Sequence, residues 1–557
     1  MRKLFLLLLM QLLSSIAMAL PHAVKDGPVV HLDSGSVRGY FQGTTSIFKG
    51  IPYAAPPVGK LRWREPQPVS PWSGVRDATA PAHACVQNIA GIDSFMKPLA
   101  TAYGASYAVE PVVSSEDCLY LNVWTPARPQ PGALPVMVWL HGGSNTAGSG
   151  SQSVYDGASL ASHGVIVVTI NYRLGVFGFF SHPELTVESP HRSSGNYGLL
   201  DQLAALRWVK ENIAQFGGNP NNVTLFGESA GALDDGMLMT SPLAAHLFQR
   251  VISESGPPFG MGAIQTRKEA ESAGAAIGRA ASGNPATPLE NLRKLSAAEL
   301  VRIANAQSHG PYAARAIVDG WLLPQAPARA FALGAIQKVD LIVGLNGREM
   351  SAFRMAAAEA AKESGQQAKN TSAMQAVKQL ADAARPLYSG WTDAAIVKYL
   401  ALAMVHRELA IDQATNDMLV ACPIGAMAAL TSATGRNVYV YSFERSIPGQ
   451  GEIALGAFHS LEVPYVFNAF TDRSWRWLTF AAADRNLSSF IETYWTNFAK
   501  TGNPNAANAP GWSAWSQDSE SYMQFTQSGS AALQRGFSPS FCHLSVDRLR
   551  KRLSENK

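Results

Sequence analysis

The chain has 557 residues, of which 47% are hydrophobic and 15% charged, so it can form a sizeable core. Lys and Arg number 45 against 41 Asp and Glu, and this small, scattered excess of positive charge argues against a nucleic-acid partner. We find no linker, charge run, repeat or low-complexity tract that would divide the chain. We therefore expect residues 20–557 to form a single domain.

The N-terminus has the pattern of an export signal. Two basic residues precede an apolar run over residues 4–13, and small residues follow at Ala17 and Ala19. This pattern predicts a signal peptide over residues 1–19 and a secreted or periplasmic protein. An uncleaved anchor is the alternative, but the run is shorter than the ~20 residues that span a bilayer. Because no other apolar stretch is long enough, we expect no stable membrane insertion.

Strand-like and helix-like segments alternate along the rest of the chain. Apolar runs without alternation are typical of buried parallel strands, and apolar residues at helical spacing indicate helices. The predicted elements are short strands and turns over 29–58, strands at 134–140 and 165–170, a helix at 198–216, a strand at 222–226, a mainly helical region over 259–435 that contains a strand at 341–343, and a late strand at 437–443. This alternation predicts an α/β fold, with a mostly parallel sheet covered by helices on both faces and a large helical insertion region.

Four cysteines, Cys85, Cys118, Cys422 and Cys542, allow three pairings. An oxidising compartment favours two disulfide bonds over free thiols. Zinc binding is the competing interpretation, but neither a CxxC motif nor clustered histidines accompany these cysteines. We therefore expect two disulfides, no metal and no cofactor.

The strongest local motif is Gly-Glu-Ser-Ala-Gly at residues 227–231, between the strand-like run and a helical segment. A GxSxG in that setting is the nucleophile elbow of an α/β-hydrolase, where a tight turn lifts the serine hydroxyl above the sheet. Two glycines are needed because the turn leaves no room for a Cβ on either side. The helix start behind Ser229 favours a developing oxyanion. The motif predicts a hydrolase with Ser229 as nucleophile.

A serine hydroxyl needs a base within hydrogen-bond reach, and the base needs an anion to orient it. The α/β-hydrolases provide them in the chain order Ser, acid, His. Glu349 is the first carboxylate after Ser229 that follows a predicted strand end, although a surface glutamate is the alternative. His459 comes after both partners and is the predicted base. His141 is its rival, but it precedes the serine and opens a glycine turn.

Six motifs extend over most of residues 30–545. They are FKGIPYA at 48–54, EDCLYLNV at 116–123, HGG at 141–143, NYR at 171–173, the elbow, and GAFH at 456–459. With these motifs the chain resembles the type-B carboxylesterases, a family that includes cholinesterases, bacterial and fungal carboxylesterases and some lipases. The resemblance implies the α/β-hydrolase fold and hydrolysis of small-molecule carboxylic esters. It also implies that Glu349, after a Gly-x-Asn turn, and His459 complete the catalytic triad of Ser229.

The resemblance further supports a disulfide pairing. The family has bridges at positions matching Cys85 with Cys118 and Cys422 with Cys542, which is the pairing we predict. By similarity, two structural ion pairs are also implied: Arg62 with Glu116, and Arg173 with Asp201.

By the family's pattern, the backbone amides of Gly143, Ser144 and Ala230 would form the oxyanion hole. The sequence departs from that pattern, because Ser144 replaces a usual third glycine and Asn145 replaces a frequent aromatic or apolar residue. The amide donors survive these changes. We expect a tighter, more polar pocket that disfavours bulky esters of tertiary alcohols.

Four further polar residues surround the predicted triad. Glu228 and Ser255 are expected to support the site from behind, the latter by a hydrogen bond near the catalytic acid, as the resemblance implies. Asp234 and Asp235 lie on the helix behind the nucleophile, where small or apolar residues would be expected. A buried carboxylate needs a partner, so we favour an ion pair with a nearby arginine. The alternative is that one of them tunes the active site.

Three functional hypotheses remain open. The first is an esterase for small to medium esters. The second is a lipase whose Cys85 to Cys118 loop acts as an interfacial lid, since it carries the apolar residues Ile89, Ile92, Phe95, Met96, Leu99 and Tyr103. The third is a non-catalytic binding module on the same fold, which the retained triad residues disfavour. Side chains between residues 310 and 410 are expected to set specificity, with Trp391, Tyr399 and Met404 as candidates.

Overall fold

The computed structural model describes residues 27–542 except 88, 108–111, 129–131, 260–263, 283–287, 309–311, 364, 366–374, 376–377, 379–392 and 540–541. The predicted signal peptide and Trp391 lie outside the described residues.

Short and long strands alternate with helices, as the sequence predicts. In chain order the strands are β1 (Val29–Leu32), β2 (Gly35–Arg38), β3 (Tyr40–Gln42), β4 (Thr45–Pro52), β5 (Val75–Asp77), β6 (Ala84–Cys85), β7 (Ser114–Ser115), β8 (Tyr120–Pro126), β9 (Leu134–Leu140), β10 (Ile166–Ile170), β11 (Gly218–Glu228), β12 (Arg250–Glu254), β13 (Gln265–Thr266), β14 (Ile317–Val318), β15 (Asp340–Asn346), β16 (Val438–Phe443), β17 (Tyr522–Phe525) and β18 (Ala531–Gln534).

The helices fill the intervals between the strands. They are α1 (Ile89–Ala102), α2 (Ala158–Ser162), α3 (Gly175–Phe179), α4 (Pro183–Glu188), α5 (Tyr197–Asn212), α6 (Ala230–Thr240), α7 (Arg267–Ser282), α8 (Pro288–Lys294), α9 (Ala297–Gln307), α10 (Pro327–Ala332), α11 (Glu349–Glu363), α12 (Asp393–Ala403), α13 (Arg407–Asn416), α14 (Cys422–Ser432), α15 (Glu452–Leu455), α16 (Val463–Val466) and α17 (Ala482–Thr501).

Within the described part of the chain, one sheet of 11 strands dominates the fold, in the order β18-β17-β16-β15-β12-β11-β9-β10-β8-β4-β3. Neighbouring strands from β17 to β10 are parallel. The pairs beyond these strands are antiparallel at both edges. The predicted mostly parallel sheet is confirmed.

Both faces of this sheet are buried, because alternate residues of each central strand enter different cores. In β9, Val136 and Val138 face the core that contains apolar residues of α5 and α6, whereas Met137 and Trp139 face the core formed with α17. A strand buried on both sides must be apolar throughout, which is why the run 134–140 lacks alternation. Burial of this kind supplies most of the favourable free energy of folding.

The predicted strands at 134–140, 165–170 and 437–443 match β9, β10 and β16 within one residue. The predicted helix at 198–216 is shorter, because α5 ends at Asn212 and a 3-10 turn continues over Ile213–Phe216. The region 259–435 is mainly helical but contains β13 and β14 as well as β15.

The cysteines lie at bonding distance in the predicted pairs, Cys85 with Cys118 and Cys422 with Cys542. The first bond closes the loop that carries α1, and the second ties the start of α14 to the end of the described chain. Both disulfides are therefore confirmed.

Both ion pairs implied by similarity are present. Arg62 donates to both carboxylate oxygens of Glu116, with a distance of 2.7 Å from Nε to Oε2. Arg173 donates from Nε and Nη2 to the two oxygens of Asp201, each at 2.7 Å, and both side chains are buried. This second pair joins α5 to the segment that follows β10.

Asp201→Asn should destabilise the protein strongly, because it removes one charge of a buried pair and leaves the Arg173 guanidinium without compensation. We expect a loss of about 3 to 5 kcal/mol in the free energy of unfolding, measured by urea denaturation. Glu290→Gln, which breaks the exposed pair with Lys294, is the matched control and should change the midpoint little. Equal midpoints for the two variants would show that the Arg173–Asp201 pair does not stabilise the fold.

Candidate active site

The sharp turn between β11 and α6 presents Ser229 above the sheet. Ser229 has a φ of 56° and a ψ of −119°, a conformation that L-residues rarely adopt. A Cβ at position 231 would lie 2.0 Å from the carbonyl oxygen of Leu140, and one at position 227 would lie 2.8 Å from the same oxygen. Gly227 and Gly231 therefore let the turn pack directly on the end of β9.

The three side chains predicted as a triad form a continuous chain of contacts. His459 Nε2 lies 2.8 Å from Ser229 Oγ, and His459 Nδ1 lies 2.5 Å from Glu349 Oε2. Glu349 and His459 are buried, whereas Ser229 is partly accessible. The serine thus has an imidazole within proton-transfer distance, and the imidazole has a carboxylate on its other nitrogen.

The acid and the histidine come from loops that are bonded to each other. After β15 the backbone amide of Asn346 donates to Glu349 Oε1 at 2.6 Å. The side-chain amide of Asn346 donates to the carbonyl of Phe458 at 2.8 Å, and the backbone amide of Arg348 donates to the carbonyl of Ala457 at 2.9 Å. These bonds hold the carboxylate and the imidazole in a defined relative position.

Glu228 lies closer to the reacting atoms than the sequence suggested. Its Oε1 is 3.2 Å from His459 Nε2 and accepts a hydrogen bond of 2.6 Å from the Ser460 hydroxyl. Glu228 also lines the pocket, and a Cβ at Gly142 would lie 2.6 Å from its Oε2. The residue before the serine is thus a direct neighbour of the histidine rather than a support behind it.

Ser255 contacts a different carboxylate from the predicted acid. Its hydroxyl donates to Glu462 Oε1 at 3.3 Å, and Glu462 in turn accepts from the side chain of Asn346, whose backbone holds Glu349. Burial and the charges of neighbouring glutamates raise the pKa of Glu462 well above its ordinary value. Ser255 therefore acts on the acid only through Glu462 and Asn346.

The turn after β9 carries two of the three predicted oxyanion donors. Three consecutive residues there have positive φ, namely Gly143 at 106°, Ser144 at 56° and Asn145 at 57°. Gly143 and Ser144 are exposed and line the pocket, whereas Asn145 is buried and points away from it. Ala230 is the first residue of α6, so its amide has no carbonyl partner within the helix.

A pocket of about 350 Å³ opens over Ser229. Its walls are partly apolar and partly hydroxylic. The apolar lining is Phe95, Met96, Val154, Phe353, Ala356, Val463 and Trp475. The polar lining beside the triad and Glu228 includes Ser94, Tyr107, Ser144, Thr146, Gln152, Tyr155, Ser460 and Ser474.

Two predicted specificity residues do not line this pocket. Tyr399 is buried and donates its hydroxyl to Asp417, while the side chain of Met404 is 89% exposed. The prediction for these two residues is wrong, because helical spacing alone does not orient α12 relative to the pocket. Part of the apolar wall comes instead from α1, which lies in the Cys85 to Cys118 loop, and from α11.

Similar proteins agree with this architecture. The Carboxylesterase family model matches residues 26–543. The chain belongs to the carboxylesterase family. A PNB esterase has a TM-score of 0.75 at 32% identity, with 95% of this chain and 99% of that chain covered. A Geobacillus stearothermophilus carboxylesterase has the same TM-score at 30% identity, with 94% and 99% covered.

Two relatives of known name are similar to this chain in sequence. Carboxylesterase 1C of Mus musculus is 32% identical over 515 residues, which are 89% of each protein. A fumonisin B1 esterase of Sphingopyxis macrogoltabida is 43% identical over 346 residues, which cover 60% of this chain and 59% of that protein. With the family match, these findings show an α/β-hydrolase that hydrolyses carboxylic esters.

His141, the rival candidate for the base, supports the turn instead. The His141 ring stacks on Tyr172 with 4.4 Å between ring centroids, and its Nδ1 lies 2.8 Å from the carbonyl oxygen of Gly142. The Tyr172 hydroxyl donates to the backbone carbonyl of His141 at 2.6 Å. Burial lowers the pKa of His141 to about 4, so the ring is neutral at physiological pH.

The predicted arginine partner of Asp234 and Asp235 is wrong. Asp234 accepts from the side-chain amides of Asn145, at 3.0 Å, and Gln202, at 2.6 Å. Neither oxygen of Asp235 has a hydrogen-bond partner among the described residues. Burial raises the pKa of Asp234 to about 7, and burial with the charge of Asp234 raises the pKa of Asp235 well above its ordinary value.

Among the described residues, no group of three or more His, Cys, Asp or Glu side chains is arranged to hold a metal ion. None of the helices in the described part of the chain combines the length and apolarity needed to cross a bilayer.

The imidazole of His459 is surrounded by negative charge. Burial alone would lower the pKa of His459, but the carboxylates of Glu228 and Glu349 outweigh burial and raise the pKa above its ordinary value. A histidine with a raised pKa becomes neutral only at higher pH. If it acts as a base, kcat/KM should therefore rise through a midpoint above about 6.5, the value of an unperturbed histidine.

Glu228→Gln should lower that midpoint, because it removes a negative charge 3.2 Å from His459 Nε2. We expect a shift of about one pH unit in the profile of kcat/KM. Glu254→Gln is the matched control, since Glu254 is also buried but, among the described residues, its side chain bonds only to the Trp495 indole. An unchanged midpoint in Glu228→Gln would mean that Glu228 does not set the pKa of the base.

Proposed function

We propose that this carboxylesterase cleaves small to medium esters through an acyl-enzyme on Ser229, with His459 as general base and Glu349 as the orienting acid. The observation that carries the proposal is the uninterrupted contact chain from Ser229 Oγ through the imidazole to Glu349, with links of 2.8 and 2.5 Å. The elbow places the hydroxyl at the carboxyl end of the parallel strands, where open α/β sheets bind ligands.

In the acylation step His459 Nε2 takes the proton of Ser229 as Oγ forms a bond to the ester carbonyl carbon. The carbonyl oxygen becomes an oxyanion and accepts from the amides of Gly143, Ser144 and Ala230. His459 then gives its proton to the leaving alkoxide oxygen, and the bond from carbonyl carbon to that oxygen breaks. The products are free alcohol and an acyl-serine.

Deacylation repeats the same transfers with water. His459 accepts a proton from a water molecule whose oxygen attacks the acyl carbon, and then returns a proton to Ser229 Oγ as the carboxylic acid leaves. Glu349 holds the imidazole tautomer and stabilises the imidazolium, as the acid of such a triad does. Glu228, next to the same ring, adds to that stabilisation.

The pocket lining is suited to bind a substrate that has an apolar part and hydrogen-bonding groups. Phe95, Phe353 and Trp475 provide apolar surface, and the Ser144 side chain adds a hydroxyl beside the predicted oxyanion donors. The second departure from the family's pattern, Asn145, does not reach the pocket because it is buried against Asp234. We therefore attribute the expected polarity and narrowing of the pocket to the Ser144 side chain.

A lipase activity is a second candidate, favoured by one contact. The Phe95 ring of α1 lies 5.2 Å from Phe353 and 6.3 Å from His459, measured between ring centroids. Helix α1 of the Cys85 to Cys118 loop thus has an aromatic side chain beside His459, which suits either a fixed wall or a lid that opens on lipid. A lid would make the rate rise when substrate exceeds its solubility limit.

We also infer export through the signal peptide over residues 1–19, with the mature protein as one domain over residues 20–557. Two disulfide bonds support this inference, since disulfides persist mainly in oxidising compartments.

Glu349→Gln tests the proposed mechanism. It keeps the shape of the acid but removes its charge, so we expect kcat to fall by about 10³-fold to 10⁴-fold. Glu254→Gln is the matched control, since its amide can still accept from Trp495, and it should keep nearly full activity. Phenylmethylsulfonyl fluoride should label Ser229, identified by mass spectrometry, and Ser229→Ala should be inactive. An adduct on another residue, or full activity in either triad variant, would exclude the mechanism.

A panel of esters tests the substrate class. Nitrophenyl esters of increasing acyl length should show a maximum in kcat/KM at short to medium chains and no increase above the solubility limit. Ethyl acetate should be cleaved faster than tert-butyl acetate, because the Ser144 side chain crowds the oxyanion turn. Fumonisin B1 belongs in the panel because a relative is an esterase of that compound. A rate that rises at the solubility limit would favour the lipase.

A further inference from the structure

The oxyanion turn needs an anchor, because its backbone is unfavourable. Gly143, Ser144 and Asn145 all have positive φ, and the second and third of these are not glycine. Left-handed backbone persists at such residues only when the surroundings hold it. The carbonyl of Gly143 accepts from the amides of Thr146, at 3.0 Å, and Ala147, at 3.1 Å. These bonds close the turn on itself but do not attach it to the nucleophile helix.

Asn145 makes that attachment. Its carbonyl accepts from the amide of Gly175 at 2.7 Å, and its side-chain amide donates to Asp234 Oδ1 at 3.0 Å. Asp234 lies on the second turn of α6, behind Ser229, and is 0% exposed. This side-chain hydrogen bond therefore joins the turn that carries two predicted oxyanion donors to the helix that carries the third.

The other oxygen of Asp234 is also occupied. Gln202, on α5, donates to Oδ2 at 2.6 Å, so each carboxylate oxygen accepts one amide. Asn145 Nδ2 and Gln202 Nε2 are the donors, so both amide groups present their NH₂ side to the carboxyl group. The Asn145–Asp234–Gln202 chain thus has a fixed direction and links three separate elements inside the protein. It brings together two of the unusual residues of this sequence, Asn145 and Asp234.

We propose that Asp234 is a positioning residue for ester hydrolysis. Through Asn145 it sets the distance between the amides of Gly143 and Ser144 and the amide of Ala230, so that all three converge on the developing oxyanion. This inference rests on the mechanism proposed above. Donors that converge only in the transition state raise kcat with little effect on ground-state binding.

Asn145→Ala tests the link with the least disturbance, because it keeps every backbone bond of the turn. We expect kcat for a nitrophenyl ester to fall by about 10-fold to 100-fold. This fall is no larger than the loss in kcat that follows deletion of one oxyanion donor. KM should change by less than about threefold. Affinity for a trifluoromethyl ketone, which adds to Ser229 Oγ and forms an oxyanion, should fall in parallel with kcat/KM.

Asp234→Asn should show the same loss, because the introduced NH₂ group opposes either Asn145 or Gln202. Adding Gln202→Glu should restore kcat. In that double variant the amide oxygen at position 234 accepts from Asn145, and its NH₂ donates to the carboxylate introduced at position 202. A merely structural role predicts no such recovery in kcat and ketone affinity.

Asp235→Asn is the matched control, since Asp235 is the next residue of α6, equally buried, and its oxygens have no partner in the described structure. It should keep kcat and ketone affinity. Active-site titration with an organophosphate normalises all rates to competent enzyme, so partial misfolding does not count as a catalytic loss.

Full kcat in Asn145→Ala, or no recovery in the double variant, would overturn the proposal while leaving the acyl-enzyme mechanism intact. If Asp234→Asn does not fold, Asn145→Ala alone decides the question. Activity in Ser229→Ala would instead overturn the mechanism itself, so the two failures are distinguishable.

Discussion

The site depends on one close approach, that of the turn at Ser229 to the end of β9. Gly231 packs where a Cβ would lie 2.0 Å from the Leu140 carbonyl oxygen, so any larger residue would push α6 away from the sheet. The same carbonyl precedes His141, where the oxyanion turn begins. The nucleophile and its predicted amide donors are thus positioned by neighbouring backbone segments. Side chains such as Asn145 only adjust a geometry that the parallel sheet already provides.

The electrostatic character of the site follows from burial of many carboxyl groups around one imidazole. Burial raises the pKa of Glu228 and raises the pKa of Glu254 to about 8, whereas the charge of His459 and the hydrogen bond from Ser460 act to lower the pKa of Glu228. Of the carboxylates in the described part of the chain, only those of Glu228 and Glu349 form ion pairs with His459. The negative charge of the carboxylates beside the imidazole stabilises the imidazolium cation that forms when the ring accepts a proton. Acyl transfer must pass through that state. Elsewhere in this cluster, hydrogen bonds such as that from Trp495 compensate for lost solvation.

What could be predicted from the sequence is what local chemistry specifies. The elbow around Ser229 and the continuous apolar run of β9 are encoded by adjacent residues, so both can be predicted from the sequence. The contacts of Asp234 cannot be predicted in this way, because Asn145 and Gln202 are distant in the sequence. An aspartate on a helix does not indicate which amide it will contact. Likewise Tyr399 lies on a helix whose rotation is set by packing. Local patterns indicate which residues are functional, but only the packed structure shows which of them touch.

The unpartnered carboxyl of Asp235 makes folding a proton-uptake reaction. Burial and the charges of Asp234 and Glu254 raise its folded pKa well above the ordinary aspartate value, so between the unfolded and the folded pKa the native core holds a proton that the unfolded chain gives up. The free energy of unfolding consequently falls as pH rises above about 4, by up to about 1.4 kcal/mol per pH unit until the folded group also ionises. Heat measured on unfolding will include the ionisation enthalpy of whichever buffer receives that proton. In this protein a carboxylic acid in the core thus couples conformational stability to the acid-base state of the surrounding medium.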